Sequence, residues 1–97
     1  MNKLELNEDL ENHYIDLTTK AYKKATPLTE KDSEDEEKLN SMLKMALDYL
    51  NDAKYFLNKG DLLRAYGAIN YSHAWIDAGV RIGLLDGHGD DVLFTLP

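Results

Sequence analysis

The run Lys59-Gly60-Asp61 constrains this chain more than any other feature. A glycine in that place takes the left-handed conformation that ends a helix, and the aspartate caps the next one. So short a connection between two long helical segments forces an antiparallel helical hairpin. Upstream, Leu39, Leu43, Ala46, Leu50, Ala53 and Leu57 recur at alternating spacings of four and three, which sets them on one helix face. Met42, Met45, Tyr49 and Phe56 widen that stripe, so the helix should touch two neighbours. Ser33 with Glu36 three residues on reads as a capping box. The acids at 34–37 lie where the helix dipole is positive, which gives the acidic run a local structural reason. The spacing predicts a helix over 33–59, roughly 40 Å long at ~1.5 Å per residue.

Downstream of Asp61 a helix is predicted over 61–85. It is apolar around most of its circumference and carries the small residues Gly67, Ser72, Gly79 and Gly83. Glycine inside a helix costs up to about 1 kcal/mol relative to alanine, so these residues imply close backbone approach by another helix or by a second subunit. A further helix is expected over 7–24. It has Asn7 as its cap, acids in the first turn, and Lys20, Lys23 and Lys24 in the last. Leu6, Leu10, His13 or Tyr14, Leu17 and Ala21 form its apolar face. It stops before Thr26-Pro27, because a residue preceding proline is pushed out of the helical region. Residues 26–32 read as a polar linker, and 86–97 as a turn followed by a short apolar segment, Val92 to Leu96. That segment can dock on its own bundle or on another molecule. Alternating β-branched runs are missing, so no strand is expected. The expected fold is all-α: an antiparallel three-helix bundle with a short apolar C-terminal tail, one domain over 1–97.

Composition narrows the function classes. At 97 residues the chain buries a thin core, so association would help it. A formal net charge of −7 argues against a general nucleic-acid binder, which needs a basic face. The acid is concentrated: residues 26–38 hold Glu30, Asp32, Glu34, Asp35, Glu36 and Glu37 against Lys31 and Lys38. With no cysteine, disulfides, thiol catalysis and zinc–thiolate sites drop out. The start, Met1 to Glu5, has no apolar signal core, and no apolar run approaches the ~20 residues that span a bilayer. The expected location is the cytoplasm, with no membrane contact.

The segment from Tyr49 to Leu85 resembles a known family. The words that carry the resemblance are Asp52-Ala53-Lys54-Tyr55-Phe56-Leu57, Lys59-Gly60-Asp61, Arg64-Ala65, and Ala68 through Leu85, with its Trp75-x-Asp77-Ala78-Gly79-Val80-Arg81 core. This looks like the archaeal family catalogued as domain of unknown function 357. The resemblance implies a small archaeal helical bundle, and it implies no activity, cofactor or catalytic residue.

Three constellations could carry chemistry. Asn70, His73, Asp77 and Arg81 follow spacings of three, four and four, so they share one face of the third helix. As structure, this is a hydrogen-bonded ladder in which Asp77 pairs with Arg81 and His73, because buried polar groups need partners. As function, it is a small-ligand site, with an anion held by Arg81. The His73/Asp77 spacing also suits two metal ligands on one helix, but a closed site would need His13 or a glutamate to converge. No metal and no cofactor are expected. Arg81 and His88, six residues apart, resemble the arginine–histidine pair of helical toxin ribonucleases, in which a cation stabilises the charged transition state and a histidine moves a proton. Here Ile82 follows the arginine and His88 sits between Gly87 and Gly89, past the expected helix end. The leading expectation is therefore a non-enzymatic interaction module that self-associates or docks on a protein partner. Its interface is expected at Trp75, Gly79, Gly83, Leu93, Phe94 and Leu96.

Overall fold

The computed structural model describes residues 5–97. The reading of Met1 to Leu4 as lacking a signal core lies outside the described residues. The element order is α1 (Glu8–Lys24), β1 (Thr26–Pro27), α2 (Glu34–Asn58), α3 (Leu62–Arg81) and β2 (Leu85–Asp86). Three helices pack against one another as an all-α bundle. Among the described residues no helix is long and apolar enough to cross a membrane.

The α2–α3 hairpin forms as the sequence requires. Gly60 has φ +77°. The amide of Asp61 donates to the Phe56 carbonyl at 2.9 Å and that of Gly60 to Leu57 at 3.0 Å, the paired bonds that close a helix C-terminus. Asp61 then accepts from the Arg64 amide at 3.2 Å, capping α3. Leu39, Ala46, Leu50 and Ala53 are buried along α2. At the start of α2 the capping box is shifted by one residue. Ser33 accepts from the Glu36 amide at 3.1 Å, but the Glu36 carboxylate reaches the amide of Asp32, not that of Ser33.

Three expectations are corrected. The third helix ends at Arg81, not at 85. Gly83 turns to φ +81°, Leu84 donates back to the Gly79 carbonyl at 3.0 Å and Gly83 to Val80 at 3.2 Å, so the motif that ends α2 also ends α3. The chain then runs extended, and Leu85-Asp86 pairs antiparallel with Thr26-Pro27, in register Thr26 with Asp86 and Pro27 with Leu85. What reads as a polar linker is thus one side of a two-residue strap that ties the end of α1 to the end of α3. Proline fits there because an edge position asks for no further donor.

The second correction concerns the seam of α1. Its buried residues are Glu11, Thr18 and Ala21. Leu10 and Leu17 are half-buried and His13 is exposed, so the helix is rotated by about one position from the face that its leucines suggest.

The third correction concerns the glycines of α3. Gly67 has open space where a Cβ would be, and Gly83 lies beyond the helix. Gly79 alone is tight, and what approaches it is a side chain rather than another helix. A Cβ there would meet Leu85 Cδ1 at 2.7 Å and Cγ at 3.2 Å. Leu85 is itself buried, so it cannot yield freely. Gly79→Val should therefore lower stability by about 1–3 kcal/mol, read as an earlier urea midpoint with the molecular size unchanged. A variant of wild-type stability that changes only the assembly state would contradict this packing.

Candidate functional site

The polar stripe of α3 faces the tail. His73 Nε2 lies 2.7 Å from the Leu93 carbonyl. A carbonyl only accepts, so this nitrogen carries the proton; in the neutral ring Nδ1 then accepts from the Thr18 hydroxyl at 3.0 Å. One ring thus joins α1, α3 and the tail. One turn on, Asp77 Oδ1 accepts from the Thr95 amide at 2.9 Å. A further turn on, Arg81 donates to the Leu96 carbonyl at 3.3 Å. Three residues spaced four apart therefore hold the tail backbone. The expected Asp77–Arg81 pair does not occur within salt-bridge distance among the described residues, and His73 stands 3.9 Å from Asp77.

The tail carries its own anchor. Asp90 Oδ1 accepts from the amides of Val92 and Leu93, both at 3.0 Å, and Asp90 Oδ2 pairs with Lys24 Nζ at 2.8 Å. The Lys24 contact, followed by the backbone donors, holds the Asp90 carboxyl below its usual range. Leu93 and Phe94 are thereby pressed into a buried cluster with Ala21, Leu39, Ile76, Val80 and Leu85. The tail docks on its own bundle. Gly79, Leu93 and Phe94, expected at an interface, are core residues of this chain, and Gly83 ends a helix. Leu96 packs partly against the same core, as does Trp75.

Arg81 and His88 serve separate structural contacts. His88 Nε2 lies 2.7 Å from the Thr26 hydroxyl, and the His88 amide donates to Asp86 Oδ1 at 2.8 Å. The shallow hollow bordered by His88 does not include Arg81.

Two of the features open to solvent lie along α3. Between α1 and α3, beside the tail, lies a hollow of about 300 Å³ walled by Tyr14, Thr18, Asn70, His73, Asp77 and Val92. It includes three of the four stripe residues and leaves out Arg81. On another face of α3, Tyr71 and Ile82 are 46% and 63% exposed, with half-buried Trp75 between them. Tyr71 meets Tyr49 of α2 edge-on at 4.5 Å and Trp75 at 6.1 Å. The indole N–H of Trp75 is buried with no hydrogen-bond partner among the described residues. Among the described residues no group of three His, Asp or Glu side chains is placed to hold a metal ion.

Glu11 escapes a reading of the sequence because acids are expected on the outer face of a first turn. It is fully buried, and neither carboxylate oxygen has a hydrogen-bond partner among the described residues. The signal that could have found it is the spacing of seven and three residues between Glu11, Thr18 and Ala21, beside the leucine face.

A comparison with family models matches residues 13–85 to the family described as protein of unknown function (DUF357), and the chain belongs to it. Neither the curated proteins nor the solved structures return a match.

Burial, reinforced by the charge of Asp61, raises the Glu11 pKa above 4.5, and the nearby backbone of Tyr66 offsets part of that rise without making a full hydrogen bond. A raised folded-state pKa favours the protonated acid. Its contribution is complete below the unfolded value of 4.5 and is lost as pH rises through the folded value. Glu11→Gln should therefore raise the melting temperature at pH 7 by several degrees, a shift of about 1 kcal/mol or more. Below pH 4.5 it should change little. Wild-type and variant melting curves that differ equally at both pH values would contradict the assignment.

Proposed function

We propose that this chain is a non-enzymatic helical interaction module, working in the cytoplasm, whose contact face is the aromatic ridge of α3 and α2. The observation that carries this reading is the ridge itself. Tyr71, Trp75 and Ile82 stand four and seven residues apart, which places them on one helix face. Tyr71 and Ile82 keep about half or more of their surface in water. Exposed apolar patches of this kind mark sites of association, and Tyr and Trp are the side chains most often found at the energetic centre of an interface.

Of the residues expected at an interface, Trp75 stays in this reading. Tyr49, Tyr71 and Ile82 take the place of the glycines and of the docked tail. The partner is a second copy or another protein, and the net charge of −7 favours one with a basic surface.

A photo-crosslinking amino acid placed at Tyr71 and activated in cells tests the face. A discrete product is expected, whose mass shows either two copies of this chain or one heterologous partner. A control at Lys44, exposed on another face of α2, should give none. A smear at both positions, or no product at Tyr71, would contradict the reading.

A further inference from the structure

The hollow beside His73 has a definite chemistry, and it is the reverse of the anion site that Arg81 suggests in the sequence. Arg81 does not border it, and one of its guanidinium nitrogens is engaged by the Leu96 carbonyl. Of the two ionisable walls facing inward on α3, His73 directs its proton to the Leu93 carbonyl and holds Thr18 on its other nitrogen. Asp77 is different. Its Oδ1 is committed to the Thr95 amide, but Oδ2 accepts no hydrogen bond among the described residues, and the one ion-pairing group near it is His73 Nε2 at 3.9 Å, whose proton is given to the Leu93 carbonyl. The Asp77 side chain is only about a quarter exposed, at 27%. An ionised carboxylate in such a place retains an acceptor that a charged donor can fill.

The rest of the lining complements this acceptor. Leu17 and Ile69 supply apolar surface, while Tyr14 and Asn70 supply polar groups. A volume of about 300 Å³ stands at the small end of ligand pockets, enough for a compact body and too small for a nucleotide. Apolar walls with one unclaimed carboxylate oxygen favour a small organic cation over an anion or a neutral solute, because burying the ligand's charge is tolerated only where an opposite charge meets it.

We infer that the hollow between α1 and α3 is a binding site for a small primary ammonium compound with an apolar body, its nitrogen donating to Asp77 Oδ2. The site lies apart from the aromatic ridge and does not depend on it.

Titration of the ¹⁵N-labelled full chain with phenethylammonium chloride, followed by amide and side-chain shifts, tests the site. Saturable shifts are expected at Thr18, Asn70, His73 and Asp77. The size-matched anion 3-phenylpropanoate should leave these signals in place. Asp77→Asn keeps an oxygen for the Thr95 amide but removes the charge. It should weaken phenethylammonium binding by at least about tenfold, the effect expected for losing one charge-assisted hydrogen bond. The Thr95 amide should stay protected from exchange, which shows that the fold has survived. Absence of a saturable response to phenethylammonium would overturn the inference. So would an equal response to the anion, or undiminished binding by Asp77→Asn.

Discussion

His73 joins three parts of the chain that are far apart in sequence, and the shape of the molecule depends on that junction. One nitrogen meets Thr18 on α1 and the other meets the Leu93 carbonyl of the tail. The need for such a junction lies in what α1 brings to its seam. Its buried side chains are a carboxyl, a hydroxyl and a methyl, from Glu11, Thr18 and Ala21. Three helices packed on that seam would leave the core open at one end. Leu93 and Phe94 fill the opening, and the ladder of His73, Asp77 and Arg81 holds their backbone in place. The polar stripe and the apolar tail are thus two halves of one device. The stripe satisfies the tail's backbone groups, and His73 and Asp77 are half-buried while Asn70 and Arg81 stay exposed.

The same economy appears at the helix ends. Gly60 and Gly83 terminate α2 and α3 with the same pair of backward hydrogen bonds, yet the outcomes differ. After Gly60 the next residue is a cap, so a new helix begins at once. After Gly83 comes Leu84-Leu85-Asp86, with no cap in place, and the chain runs out along Thr26-Pro27. Gly79 makes that exit path possible, since its missing side chain is the space that Leu85 occupies. The strap in turn fixes where Gly87 begins the tail, and Asp90 fixes its course through Lys24.

The α2–α3 hairpin was fully legible in the sequence, because its signals are local: a glycine, a cap and a leucine stripe whose members lie three or four residues apart. The end of α3 was not, because Gly83 read as one more small helical residue and only the bond from Leu84 back to Gly79 reveals it as a stop. Spacing shows that the members of the polar stripe share one face, but not that their main hydrogen-bond partners lie in the tail. Periodicity reports which side chains stand together, and it says nothing of a tail that returns from twenty residues downstream to bind them. Glu11 was hidden by its type, since an acid in a first turn satisfies the dipole rule whether or not it is buried. Of the aromatic ridge, the sequence puts Tyr49 on the apolar stripe of α2 and Trp75 at an interface, and only the exposure of Tyr71 and Ile82 marks the ridge as surface.

The central claim is that the tail is an integral part of the fold, held by α3. Amide hydrogen exchange at Thr95 tests it most directly, because that amide has Asp77 as its acceptor. The account predicts protection close to that of the buried amides of α3, lost in Asp77→Ala while α2 and α3 stay protected. Exchange of Thr95 at the rate of a free chain in the wild-type protein would show the tail undocked, and would contradict the account.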